Sequence, residues 1–310
     1  MTANPLTKKR LDELDIIKGI AIVFVFFRHL NEMTGASAVY TDAEERLYLF
    51  FEAFMILFFL CSGYVYHSKG TVMQEISKRA KQLLLPFLEF GLVATAVYFL
   101  RYVIIEHKPL IWFADNTVAN FLGLINWNVR LGIVKPNQME YAFVPLWFLL
   151  EMFPAFCVFI PVKKLTDQRG LSARVAAATG LMVISMVLYH FDPQHTVAEL
   201  YNTSVPYFLV LINIFGFASV LMIGSILKEF NAFDLDDISP KVSFSLAAVC
   251  FVIDSILVLL YHHRYGLQYG SWGPYGVFSI PITVLDGLML TYFLVFLAHY
   301  MKRIPILKTI

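Results

Sequence analysis

The chain has 310 residues, 58% of them apolar and 15% charged, with a mean hydropathy of +0.66 and a formal net charge of +1. Soluble domains carry roughly 25% charged residues, so these values exclude an ordinary soluble globular protein. The near-neutral balance supplies no basic field for nucleic acid, so no nucleic-acid partner is expected.

A spanning helix needs about 20 mostly apolar residues. The sequence predicts eight, over 14–33, 47–66, 83–105, 143–162, 171–191, 206–227, 242–261 and 277–300. The start of the chain is polar and basic (Lys8, Lys9, Arg10) and no small-residue cleavage site follows the first run, so that run is expected to stay as a helix. Backbone groups in lipid must be bonded within their own segment, and the alternating strands of a barrel are absent, so the expected fold is all-α. It is a polytopic transmembrane helix bundle using residues 1–310 as a single domain. The segment 110–124, interrupted by Asp115, Asn116 and Asn120, reads as an interfacial or re-entrant helix or a weak ninth span. Cys61, Cys157 and Cys250 sit in apolar runs at spacings too wide for a metal motif or a disulfide framework, and read as small buried hydrophobes.

Lys and Arg placement orients the bundle. The second connection carries Lys69, Lys78, Arg79 and Lys81, the fourth Lys163, Lys164, Arg169 and Arg174, and the sixth Lys228 and Lys241. Lys302, Arg303 and Lys308 follow the last span, whereas 192–205 has no Lys or Arg and the seventh connection only Arg264. The alternation predicts both ends in the cytoplasm and a long external connection at 106–142, with Trp112, Asn126 and Trp127. A multi-pass protein of the cell membrane is expected.

Ionisable groups inside spans are costly and mark candidate sites. Here they are Arg28, His29, Glu52, Glu89, Glu151, Asp254 and Asp286. For each, a place near a span end or an ion pair across the bundle is the plainer reading; Asp254 and Asp286 suit pairing with Arg28 or with hydroxyls. The first span says more. Lys18 and His29 are eleven residues apart, almost three whole turns at about 100° per residue, so they share one stripe of a helix about 16 Å apart along its axis. Asp15 falls within about 40° of that stripe. A histidine there can deprotonate a hydroxyl near neutral pH or accept an acyl group transiently. Glu151 is the best placed buried carboxylate to orient such an imidazole. His262–His263 and the pair His190 and His195 lack a metal-ligand pattern, and Ser62-Gly63 reads as close helix packing rather than a nucleophile elbow. At this level an enzyme, a transporter or exporter of a small polar or acylated molecule, and a scaffold without chemistry all remain open, although the internal repeats of many transporters are not found.

The stretch from Leu14 to Val23 (LDIIKGIAIV), with Lys18 followed by His29, resembles the opening motif of the integral membrane acyltransferase family called acyltransferase 3. The segment Phe58-Phe59-Leu60-Cys61-Ser62-Gly63-Tyr64 is similar to that family's aromatic run ending in Ser-Gly-aromatic. The basic run Lys78-Arg79-Ala80-Lys81, closing at Pro86, and Trp147-Phe148-Leu149-Leu150-Glu151 resemble its next two motifs, in order. The sugar O-acetylase-like subgroup is the nearest. The resemblance implies transfer of an acyl group, commonly acetyl, from a cytoplasmic acyl-CoA to a hydroxyl of a cell-envelope carbohydrate or glycolipid precursor, with no bound cofactor. It implies that His29 is catalytic and that Lys18, with Asp15, serves the donor. Arg79 is a candidate for the donor phosphates, with an ordinary positive-inside charge as its plainer reading. Glu151 joins His29 as a candidate catalytic residue, and Arg28, Ser62 and Trp147 are candidate site-lining residues. Arg28 stands where many members have Gly. Members run to about ten spans, so a further closing helix is expected beyond residue 310.

Overall fold

The computed structural model describes residues 12–34, 54–125, 147–191, 207–265 and 279–302, with side chains described for most of them. Within these residues the fold is helical throughout. The helices are α1 (Asp12–Thr34), α2 (Phe54–Val65), α3 (Val72–Phe99), α4 (Leu110–Ile125), α5 (Trp147–Asp167), α6 (Leu171–Phe191), α7 (Tyr207–Glu229), α8 (Pro240–Tyr265) and α9 (Ser279–Lys302). Five of them, α3 and α6 to α9, are long and apolar enough to cross a membrane. The chain is a polytopic helical membrane protein.

Helix α3 corrects the sequence reading of the second connection. It starts at Val72, not near residue 83, so Lys78, Arg79 and Lys81 ride on a helix rather than in a loop. The cause is a capping box: Thr71 Oγ1 accepts from the Gln74 amide at 3.3 Å, and Gln74 Oε1 accepts from the Thr71 amide at 2.9 Å. Leu100–Ile105 continue α3 as a π-helical turn, and the whole run has 34 residues. At 1.5 Å per residue it is about 51 Å long, against a hydrocarbon layer of about 30 Å, so its charged first turns extend past the apolar part. Lys163, Lys164, Arg174, Lys228 and Lys241 also lie on helices, not in connections. Residues 110–125 form a regular helix of 16 residues, Leu110–Ile125.

The chain divides into two compact units. One comprises Met1–Val65, Gly224–Leu267 and Thr283–Ile310. Its core gathers Leu14, Ile17 and Ala21 of α1 with Leu57 and Cys61 of α2 and Leu290 and Leu294 of α9. Phe24 stacks on Phe54 at 5.4 Å, and Tyr64 on Phe233 at 4.6 Å. Close approach is built from glycine: a Cβ on Gly224 would collide with the Leu60 carbonyl, and one on Gly287 with the Ile56 side chain. The Ser243 hydroxyl donates to the Phe296 carbonyl at 2.9 Å, joining α8 to α9.

The second unit comprises Tyr66–Ile223 and Gln268–Ile282. Here α3 packs on α5, and α5 on α6. Phe87, Tyr98, Tyr102 and Phe113 form a small aromatic core beneath α4. Buried hydroxyls tie α6 to α7: Ser185 donates to the Ile212 carbonyl at 2.7 Å and Ser219 to the Ala178 carbonyl at 2.9 Å. Leu85, Phe90, Leu92, Val93 and Val97 leave α3 with an outward apolar face, which lipid requires.

Candidate active site

In the first unit the site begins on α1. The helix is continuous from Asp12 to Thr34, so positions 18 and 29 keep one stripe about 16 Å apart along the axis. Lys18 Nζ pairs with Asp15 Oδ1 at 3.0 Å, both partly exposed. The side chains of Arg28 and His29 lie outside the described residues.

The start of the same helix is clasped by α9. His299 is 1% exposed and Glu13 4% exposed. His299 Nδ1 lies 3.3 Å from Glu13 Oε1, and its Nε2 lies 3.2 Å from the Ile238 carbonyl oxygen. Both ring nitrogens of His299 therefore face oxygen atoms, one on α1 and one on the segment before α8. Lys302 Nζ adds Glu13 Oε1 at 3.4 Å and Asp12 Oδ2 at 3.1 Å. Farther along α8 and α9, Asp254 and Asp286 are buried with their carboxyls facing one another.

In the second unit one end is basic. The segments 66–81 and 163–174 carry Lys69, Lys78, Arg79, Lys81, Lys163, Lys164, Arg169 and Arg174 against Glu75 and Asp167. Glu75 accepts from the Lys69 and Gly70 amides at 2.7 and 3.0 Å, while Lys164 Nζ donates to the Gly70 carbonyl, binding the turn before α3 to the end of α5. Asp167 pairs with Lys163 at 2.7 Å and Arg174 at 3.6 Å. The Arg79 guanidinium lies 4.6 Å from the Phe156 ring centroid and 5.3 Å from that of Tyr66, and donates to Gln82 Oε1 at 2.9 Å. Its Nε is buried with no hydrogen-bond partner among the described residues. The aromatic shelf fixes a planar cation with donors to spare, which suits a phosphate or carboxylate.

Glu151 sits near the opposite end of α5, four residues from its start and 1% exposed. Asn213 of α7, 2% exposed, donates from Nδ2 to Glu151 Oε1 at 2.9 Å. Along α5, Glu151 and Lys163 are twelve residues, or about 18 Å, apart.

Of the sequence candidates, Lys18 and Asp15 are brought together, and Arg79 and Glu151 fall in one unit, Arg79 resting on a residue of the helix that carries Glu151. Ser62 is half-buried on α2. Trp147 opens α5, its side chain outside the described residues, as is Glu52 altogether. Glu89 lies on the exposed face of α3 beside Leu88 and Phe90. Sequence reasoning missed Glu13, His299 and Asn213. Glu13 sits just outside the first apolar run and His299 at the end of the last, where snorkelling is the usual reading; Asn213 carries no charge to draw notice.

Apolar helices with carboxyls, an imidazole and an amide buried among them, and a basic cluster at one end, define a membrane-embedded helical protein with a polar interior. Residues 11–310 match the acyltransferase 3 family, described as an acyltransferase domain, and the chain belongs to that family. It is a membrane acyltransferase. No curated protein and no solved structure matches the chain.

Proposed function

We propose that the protein is an O-acyltransferase that moves an acetyl group from cytoplasmic acetyl-CoA to a hydroxyl of a cell-envelope glycan or glycolipid precursor. The observation that carries this reading is the unbroken helix α1, which keeps Lys18 and position 29 on one stripe. An extended pantetheine arm has a length of the order of that 16 Å axial separation. Lys18 then holds donor phosphates at the water-facing end while the thioester reaches the imidazole. His29 takes the proton of the acceptor hydroxyl, and the oxygen attacks the thioester carbonyl. A C–O bond forms, the C–S bond breaks, and the proton ends on the sulfur of free CoA. Arg79, on its aromatic shelf in the second unit, is a candidate for donor phosphates in its own right.

The test incubates membranes containing the protein with radiolabelled acetyl-CoA and follows label into the saccharide fraction. Lys18→Ala weakens donor binding, whereas His29→Ala abolishes transfer and largely keeps donor binding. Exchanging Phe27 and His29 turns the imidazole about 160° off the stripe and is equally damaging. Full transfer by His29→Ala refutes the mechanism.

A further inference from the structure

We propose that Lys302 is a positioning residue for the donor: by neutralising Asp12 and Glu13 it lets the phosphates that Lys18 holds approach the start of α1. This rests on the acyltransferase reading and adds a residue to its donor end. All the groups involved belong to the first unit. The first turn of α1 carries Asp12, Glu13 and Asp15. Carboxylates suit the positive end of a helix, so they favour α1 itself. They have the wrong sign for a polyphosphate. Glu13 and Asp12 precede Lys18 by five and six residues, about 7.5 and 9 Å along the axis, which is close to the screening length of physiological salt.

Lys18 answers one of the three carboxylates, pairing with Asp15 at 3.0 Å. The last turn of α9 answers the other two. Lys302 Nζ lies 3.1 Å from Asp12 Oδ2 and 3.4 Å from Glu13 Oε1, a single ammonium between two carboxylates. His299 Nδ1 stands 3.3 Å from the same Glu13 oxygen and keeps that side chain in place.

The two pairs of Lys302 do different things. Glu13 is 4% exposed, and a buried carboxylate needs a partner. Asp12 and Lys302 have side chains 54% and 40% exposed, and a pair so wet contributes little to stability. What it changes is the field. Without Lys302 the first two turns of α1 hold three carboxylates against the one ammonium of Lys18, and an anionic donor is repelled. With it, each of the three has an ammonium within 3.4 Å.

The experiment measures binding of radiolabelled acetyl-CoA to the full chain in mixed micelles, at low and at high salt. It compares wild type, Lys302→Met, Asp12→Asn and the double variant Lys302→Met/Asp12→Asn. Lys302→Met should weaken binding about fivefold at low salt and by less at high salt. The double variant should regain most of the loss, because one uncompensated carboxylate is gone. A merely structural pair gives no such recovery, since the double variant lacks both partners. Wild-type affinity in Lys302→Met, or a double variant as weak as Lys302→Met, overturns the inference. If Lys302→Met fails to give a monodisperse folded protein, Asp12→Asn decides, because it leaves Lys302 with one carboxylate fewer to neutralise: tighter binding than wild type supports the inference, and unchanged or weaker binding overturns it. Wild-type protein that binds no acetyl-CoA defeats the acyltransferase reading and the inference with it, an outcome distinct from a wild type that binds and variants that match it.

Discussion

Replacing His299 by Leu tests how α1 is held. The imidazole is 1% exposed and touches two acceptors, Glu13 Oε1 at 3.3 Å and the Ile238 carbonyl at 3.2 Å. Leucine fills most of the same volume but donates to neither. A bond to a charged group contributes about 1.5–3 kcal/mol and a neutral one about 1 kcal/mol. Glu13 is not left alone, since Lys302 Nζ stays at 3.4 Å, so the full penalty for an abandoned buried charge does not apply. The expected cost is about 3 kcal/mol for His299→Leu and about 2 kcal/mol for Glu13→Gln. The double variant should cost less than the sum, with a coupling energy of about 1–2 kcal/mol. Equilibrium unfolding in mixed micelles gives all four corners of the cycle. Strict additivity means that the ring and the carboxyl do not interact, and that α1 is held by its apolar face and the Lys302 pairs.

Gly224→Ala should destabilise by about 1–3 kcal/mol, because its Cβ meets the Leu60 carbonyl, a backbone atom that cannot step aside. Gly180→Ala has open space within 4 Å and should be neutral or stabilising by up to about 1 kcal/mol; thermal unfolding in detergent separates the two. Arg79→Lys keeps the charge but loses the planar stack on Phe156, and should weaken acetyl-CoA binding about tenfold in a radioligand assay; unchanged affinity removes Arg79 from the donor site. Glu151→Gln should lower turnover by about a hundredfold with expression and donor binding kept, whereas loss of folded protein marks a structural ion pair instead. A cysteine placed at Lys9 should resist an impermeant reagent in intact cells while cysteines at Asn126 and Asn202 label; strong labelling at position 9 inverts the topology.

The sequence alone determined that this chain lives in a membrane as a helical bundle, because the cost of burying an unpaired backbone in lipid leaves one solution for long apolar runs. It also carried the motifs that place the chain in its family, and the stripe joining Lys18 to His29, since helical periodicity is a local property. Where helices begin was legible only in part. The capping box at Thr71 and Gln74 extends α3 back over Lys78 and Arg79, and a hydropathy reading, which stops at the charges, begins that helix too late. Partnership was decided by the tertiary structure. Glu13 and His299 stand 286 positions apart, and Glu151 and Asn213 stand 62 apart. No pattern along the chain specifies such pairs, because each is set by which helix faces the packing brings together. The guanidinium of Arg79 likewise reads as one more positive charge until Phe156, from another helix, is laid beneath it.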